Sequence, residues 1–252
     1  LVDAGDAEGA IEILQEEKQS AAFRIGLAYR GGLAANAAAR SLSEAAEVVV
    51  ARALMLAEQD LARAHGKLPG GIAVIGYGSL GGAELGFASD LDLIFVYDGD
   101  LAQAESDGAR PLEGARYFAR IAQRVVHWLT TQTRAGKLYD VDVRLRPDGG
   151  KGLLVGGVQA FAAYLRERAW IWESQALVRA RPIAGDARVG DDTGLDLQHL
   201  ILGCLHIPAL LRGWGELAAG RHLHQQFGIV AGRCVAAADH LAARIDRGAV
   251  ED

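Results

Sequence analysis

Asp90-Leu91-Asp92 opens a run of β-forming residues that continues to Tyr97. On a strand, residues two apart point to the same face, about 6.6 Å apart along the chain. Two carboxylates so placed, beside Leu91, Leu93 and Ile94, repel each other at the edge of an apolar sheet. A divalent cation between them removes the repulsion. Mg²⁺ favours such carboxylates together with substrate phosphates. Two solvated acids at a strand end are the plainer alternative, because short acidic patterns are common.

A second segment narrows the choice. Val141-Asp142-Val143-Arg144-Leu145-Arg146 alternates. As a strand, it places Val141, Val143 and Leu145 on one face and Asp142, Arg144 and Arg146 on the other. Acid, base, base in a row fits a cleft where the acid holds a metal and the guanidiniums hold phosphate oxygens. Neutralisation of the acidic cluster by Arg144 and Arg146 is the alternative. Between the strand Ile72-Ala73-Val74-Ile75 and the first acids lies Gly76-Tyr77-Gly78-Ser79-Leu80-Gly81-Gly82. Glycines let a backbone approach a ligand and present its N–H groups to phosphate. GxxxxGK[ST] is absent, so this is not a P-loop. A dinucleotide fingerprint fits poorly, since the next strand begins too soon for a crossover helix and carries D-x-D.

The elements that position these residues follow from periodicity. Residues 7–65 read as helices broken at Gly31-Gly32, with Ile11, Leu14, Ile25 and Leu27, then Val48, Ala51, Leu54 and Leu61, at helical spacing. Residues 100–111 read as a polar loop, and residues 113–131 as a helix with Phe118, Ile121, Val125 and Trp128 on one face. Strands are expected at residues 138–145 and 153–155, with a turn at Pro147-Asp148-Gly149-Gly150 between them. Helices are expected at residues 158–167 and 169–181, then a loop near 185–194 and mostly helix from Leu195. The expectation is an α+β core between helical segments: 1–68 packing on the core, 69–186 the catalytic core, 187–252 a C-terminal helical segment.

The chain of 252 residues is half hydrophobic and 23% charged, which excludes wholesale disorder. A net charge of −6 argues against general binding to nucleic acid or to an anionic membrane. Its longest apolar runs fall far short of the roughly 20 residues that a membrane span needs. The chain begins without Met and shows no basic leader, so a piece of a longer protein without a secretory signal is expected. Cys204 and Cys234 form no CxxC, which points to the cytoplasm and away from zinc.

Strand, glycine turn, short helix, D-x-D strand and a later strand with a third Asp together resemble the nucleotidyltransferase superfamily. More closely, Gly76 to Leu93, Val141 to Pro147 and Ala169 to Arg181 are similar, in order, to three long motifs of bacterial glutamine-synthetase adenylyltransferases. The likeness covers about residues 8–186. It implies a DNA polymerase β-like mixed-sheet core and cytoplasmic adenylyl transfer from ATP to a tyrosine of glutamine synthetase, which regulates nitrogen assimilation. Asp90, Asp92 and Asp142 become the expected catalytic residues and ligands of Mg²⁺ or Mn²⁺, with Asp142 completing a second metal site or accepting the hydroxyl proton. Gly78, Ser79, Arg144 and Arg146 become the expected ATP-binding residues. Glutamine synthetase, and a PII-type signalling protein, are the partners implied.

The family has an adenylylating half and an adenylyl-removing half that works by phosphorolysis. Gly76-Tyr77-Gly78, Glu84-Leu85-Gly86-Phe87 and Trp172 with Gln175 to Arg181 resemble the adenylylating half. The removing half and a non-catalytic regulatory module are the alternatives, and intact Asp90, Asp92 and Asp142 argue against the latter. The chain departs from the family at Ser79, where Lys is common, and after Asp186, where it is shorter. His127, near the apolar stripe of its helix, is read as packed or half-exposed rather than catalytic, and His199, His206, His222 and His224 lack a ligand pattern. Trp170 and Trp172 read as core or interface, and Glu173 as support for the arginines.

Overall fold

The computed structural model describes residues 7–68, 70–145 and 153–190. Two long helices come first, α1 (Ala7–Arg30) and α2 (Ala35–His65). Gly32, with φ of 107°, makes the turn between them. The core strands follow: β1 (Ile72–Gly76), a single-turn helix α3 (Gly78–Gly81) and β2 (Leu91–Tyr97). Helix α4 (Gly114–Thr130) leads to the short strands β3 (Val141–Asp142) and β4 (Val155–Gly157). Then come α5 (Val158–Glu167), α6 (Ile171–Ala176), a 3₁₀ turn at Leu177–Arg179 and β5 (Arg181–Gly185).

The sheet is mixed. β1 lies between β2 and β5, antiparallel to both. The other edge of β2 is shared by two parallel strands, β3 at Leu91 and Asp92 and β4 from Phe95 to Tyr97. A parallel partner needs a crossover, and α4 supplies it. Its apolar stripe, Phe118, Ile121, Ala122, Val125 and Leu129, is buried in the same cluster as α2 and the sheet. The Phe118 ring stacks on Tyr97 of β2, with centroids 4.8 Å apart. β1 and most of β2 are buried, which is why both read as apolar runs. The result is a mixed α/β architecture.

Three expectations are corrected. The strand over residues 138–145 shrinks to Val141–Asp142. The Arg144 N–H donates to Asp142 Oδ1 at 2.8 Å, a local side-chain turn that competes with the ladder. The last expected helix ends at Ala176, and Arg181–Gly185, read as helix end and loop, is β5. Pro182 masks it, yet a proline is tolerated where a strand pairs with β1 alone at a register shift. Trp170 is 71% exposed, which excludes the core half of its core-or-interface reading. The turn at Pro147-Asp148-Gly149-Gly150, Arg146 and the segment from Leu195 onward lie outside the described residues. No helix among the described residues is long and apolar enough to cross a membrane.

Candidate active site

The site forms where β2 begins. Asp92 on β2 and Asp142 on β3 are directly paired in parallel register. Asp90 sits one residue before β2 and is exposed. Burial and the charges of Asp142 and Asp90 push the Asp92 carboxyl above the usual carboxylate range, while Arg144 and Arg179 pull the other way. The other two acids expected from sequence therefore both act on Asp92. Arg144 folds back on Asp142, its Nε donating to both carboxylate oxygens at 3.0 Å. Its own head group is largely exposed.

The glycine turn is filled by the protein itself. Gly78 takes φ of +58°, and a Cβ there would lie 2.1 Å from Asp92 Oδ2. Only glycine lets the acid settle against α3. A Cβ on Gly81 would lie 2.3 Å from the Arg179 carbonyl oxygen. One on Gly82 would lie 3.1 Å from the Arg179 guanidinium. The glycines expected to admit a ligand thus first admit Asp92 and Arg179. Ser79 is half-buried in α3, and its carbonyl accepts from the Glu84 N–H at 2.8 Å. Ala83 adopts φ of +54°, a left-handed conformation that costs a non-glycine residue about 1–2 kcal/mol. It reverses the chain and brings Glu84 onto Arg179, whose guanidinium pairs with the Glu84 carboxylate.

Residues that sequence reasoning passed over complete the setting. Tyr77 is buried, and its hydroxyl is pushed well above its ordinary range by desolvation and by Asp142 and Asp92. It stays protonated beside the acids. The first two helices hold both halves of the site. Ser43 of α2 accepts from the Leu85 N–H at 3.2 Å, anchoring the loop before Asp90. Glu47 of α2 pairs with Arg181, whose Nε donates to the Gly81 carbonyl at 3.0 Å. Gln15 and Gln19 of α1 bond the turn at Thr131 to Ala135, and Lys18 lies over the Tyr139 ring, just before Asp142. Arg179 and Arg181 carried a signal as two cations flanking a single alanine, but a helical reading of the segment hid that both reach α3 and the residues around it. Glu173 does not support the arginines. Its carboxylate accepts from the Tyr164 hydroxyl at 2.9 Å and from the Trp170 N–H at 2.7 Å.

The donor set fits a hard divalent cation: oxygen ligands only, two carboxylates in register and a third two residues from one of them. Among the described residues no three such side chains are already drawn into metal-binding geometry. Asp142 is turned onto Arg144 instead.

Comparison with known sequences bears on this arrangement. Residues 1–194 match the family Glutamate-ammonia ligase adenylyltransferase. The bifunctional glutamine synthetase adenylyltransferase/adenylyl-removing enzyme of Stenotrophomonas maltophilia (strain R551-3) is 54% identical over 184 residues, 72% of this chain and 20% of that protein. The enzyme of the same name from Xanthomonas axonopodis pv. citri (strain 306) is 53% identical over 188 residues, 74% of this chain and 20% of that protein. That of Idiomarina loihiensis is 46% identical over 204 residues, covering 78% and 21% respectively. The chain spans about a fifth of the length of these relatives. The match takes in the glycine turn, both in-register acids and the arginine-bearing strand, and by it the chain belongs to the glutamate-ammonia ligase adenylyltransferase family.

Proposed function

We propose that this chain catalyses adenylyl transfer from ATP to a tyrosine hydroxyl of glutamine synthetase, on a DNA polymerase β-like nucleotidyltransferase core. The observation that carries the reading is the register pairing of Asp92 with Asp142 beside the Gly78 turn. Asp90, Asp92 and Asp142 would hold Mg²⁺, which when bound supplies charge that stabilises the entering and leaving oxygens. Gly78 and Ser79 border the triphosphate. Arg144 and Arg146 neutralise its charge, Arg144 exchanging Asp142 for phosphate oxygens. Tyrosine has a pKa near 10, so the attacking hydroxyl needs an acceptor for its proton, and the Asp142 carboxylate receives it. The tyrosine oxygen then bonds to the α-phosphorus. The bond from that phosphorus to the bridging oxygen breaks, and its electron pair leaves with pyrophosphate.

The names of the relatives carry both adenylylation and its removal, and the three acids suit either. The wording at Tyr77, Gly86, Phe87 and Trp172 favours the adenylylating half. Incubation with α-labelled ATP, Mg²⁺ and unmodified glutamine synthetase should label the target and release pyrophosphate, and added pyrophosphate should reverse the labelling. Phosphate-dependent release of ADP from adenylylated glutamine synthetase, with no transfer from ATP, would assign the chain to the removing half.

A further inference from the structure

We propose that Arg179 is the phosphate-holding cation of the glycine turn, exchanging its ion pair with Glu84 for the anionic tail of the nucleotide. This rests on the adenylyl-transfer reading above and deepens it. A phosphate tail needs positive charge, yet from Gly76 to Asp92 the sequence holds Glu84, Asp90 and Asp92 and neither lysine nor arginine. The charge must come from another element.

The 3₁₀ turn before β5 delivers it. The Arg179 carbonyl lies against Gly81, and the Ala180 N–H closes the turn onto the Leu177 carbonyl at 2.9 Å. The backbone of Arg179 is therefore fixed against α3, and only its side chain is left to move. Its guanidinium rests at Gly82, one helical turn from Gly78, where Asp92 rests. The turn so carries an acid at Gly78 and a cation at Gly82. Arg179 and Glu84 are each nearly half exposed, 43% and 49%. A pair that open to water is weak, and a phosphate tail offers the guanidinium more charge and two parallel hydrogen bonds. Arg181, two residues on, has a different task. Its side chain is committed to the Gly81 and Leu80 carbonyls and to Glu47. The two arginines divide the work: Arg181 braces the turn, and Arg179 faces what the turn binds.

The test is equilibrium binding to the chain by calorimetry, with ATP, inorganic tripolyphosphate and adenosine as separate probes in Mg²⁺ buffer. Circular dichroism reports folding of each variant. Arg179→Gln should weaken ATP and tripolyphosphate by a common factor of about 10- to 100-fold, the range for a lost charged hydrogen bond, and leave adenosine unchanged. Arg179→Lys should recover part of the loss. Glu84→Gln, which frees the arginine, should tighten ATP and tripolyphosphate. Unchanged or tighter binding in Arg179→Gln, or unchanged or weaker binding in Glu84→Gln, overturns the proposal while leaving adenylyl transfer standing. If Arg179→Gln fails to fold, Glu84→Gln decides alone, and anything but tighter binding overturns the proposal. Wild-type chain that binds neither ATP nor tripolyphosphate overturns both this proposal and the reading beneath it.

Discussion

Asp92 carries opposite burdens for stability and for function. Its carboxyl is held above the usual range by burial and by two neighbouring acids, so the folded chain binds its proton more tightly than the unfolded chain does. A group of that sign costs stability as pH rises through the interval above about 3.9, where the unfolded carboxyl has already ionised. Asp92→Asn removes the cost. The variant should melt above wild type at pH 7, and the difference should vanish below about pH 4. Adenylyl transfer should meanwhile fall by orders of magnitude. Thermal melts across that pH range, set beside a transfer assay, check both halves. Lower stability at neutral pH together with retained transfer would show that Asp92 is an ordinary structural acid.

The single-turn helix α3 is an element made possible by its glycines. It fits between β1 and β2 because Gly76 lets Leu80 and Ile183 approach, Gly78 takes Asp92 and Gly81 takes the Arg179 backbone. Gly78→Ala places a Cβ both in a left-handed conformation and on the Asp92 carboxylate. It should cost about 1–2 kcal/mol from the backbone alone. Because the clash falls on Asp92, activity should fall further than stability does. Urea unfolding and transfer rate measured on one preparation separate these effects. A fully active Gly78→Ala would mean that the carboxylate has room to leave α3.

Helices α1 and α2 share a core with the sheet. Leu54 of α2 and Phe118 of α4 lie in one buried cluster with Val74 and Phe95. Leu54→Ala should cost about 2–5 kcal/mol and Phe118→Ala about 3–5 kcal/mol. Both losses should fall on the same cooperative transition, followed by far-UV circular dichroism and by tryptophan fluorescence. A separate early transition in Leu54→Ala alone would make the helical pair an independent unit. The shared core is also why Ser43, Glu47 and Gln15 can fix loops of the site from a segment that by sequence looks like plain scaffold.

Much was legible in the sequence because the signals were local. The apolar runs at Ile72 and Leu93 specify buried strands. Gly31-Gly32 stops a helix, and the stripe from Phe118 to Trp128 specifies an amphipathic one. Asp90, Asp92 and Asp142 stand out as acids beside β-forming residues. Tertiary structure alone decided the rest, because it depends on contacts between residues far apart in the chain. Asp142 meets Asp92 only through the α4 crossover, which sets the parallel register. Arg144 turns onto Asp142 through a side-chain bond that the alternating pattern does not reveal. β5 exists because β1 offers an edge that tolerates Pro182. Arg179 joins the glycine turn because Gly81 and Gly82 leave no side chain in its way. Sequence named the acids and the turn. The paths of β3 and β5 past α3 determined which cations stand beside them.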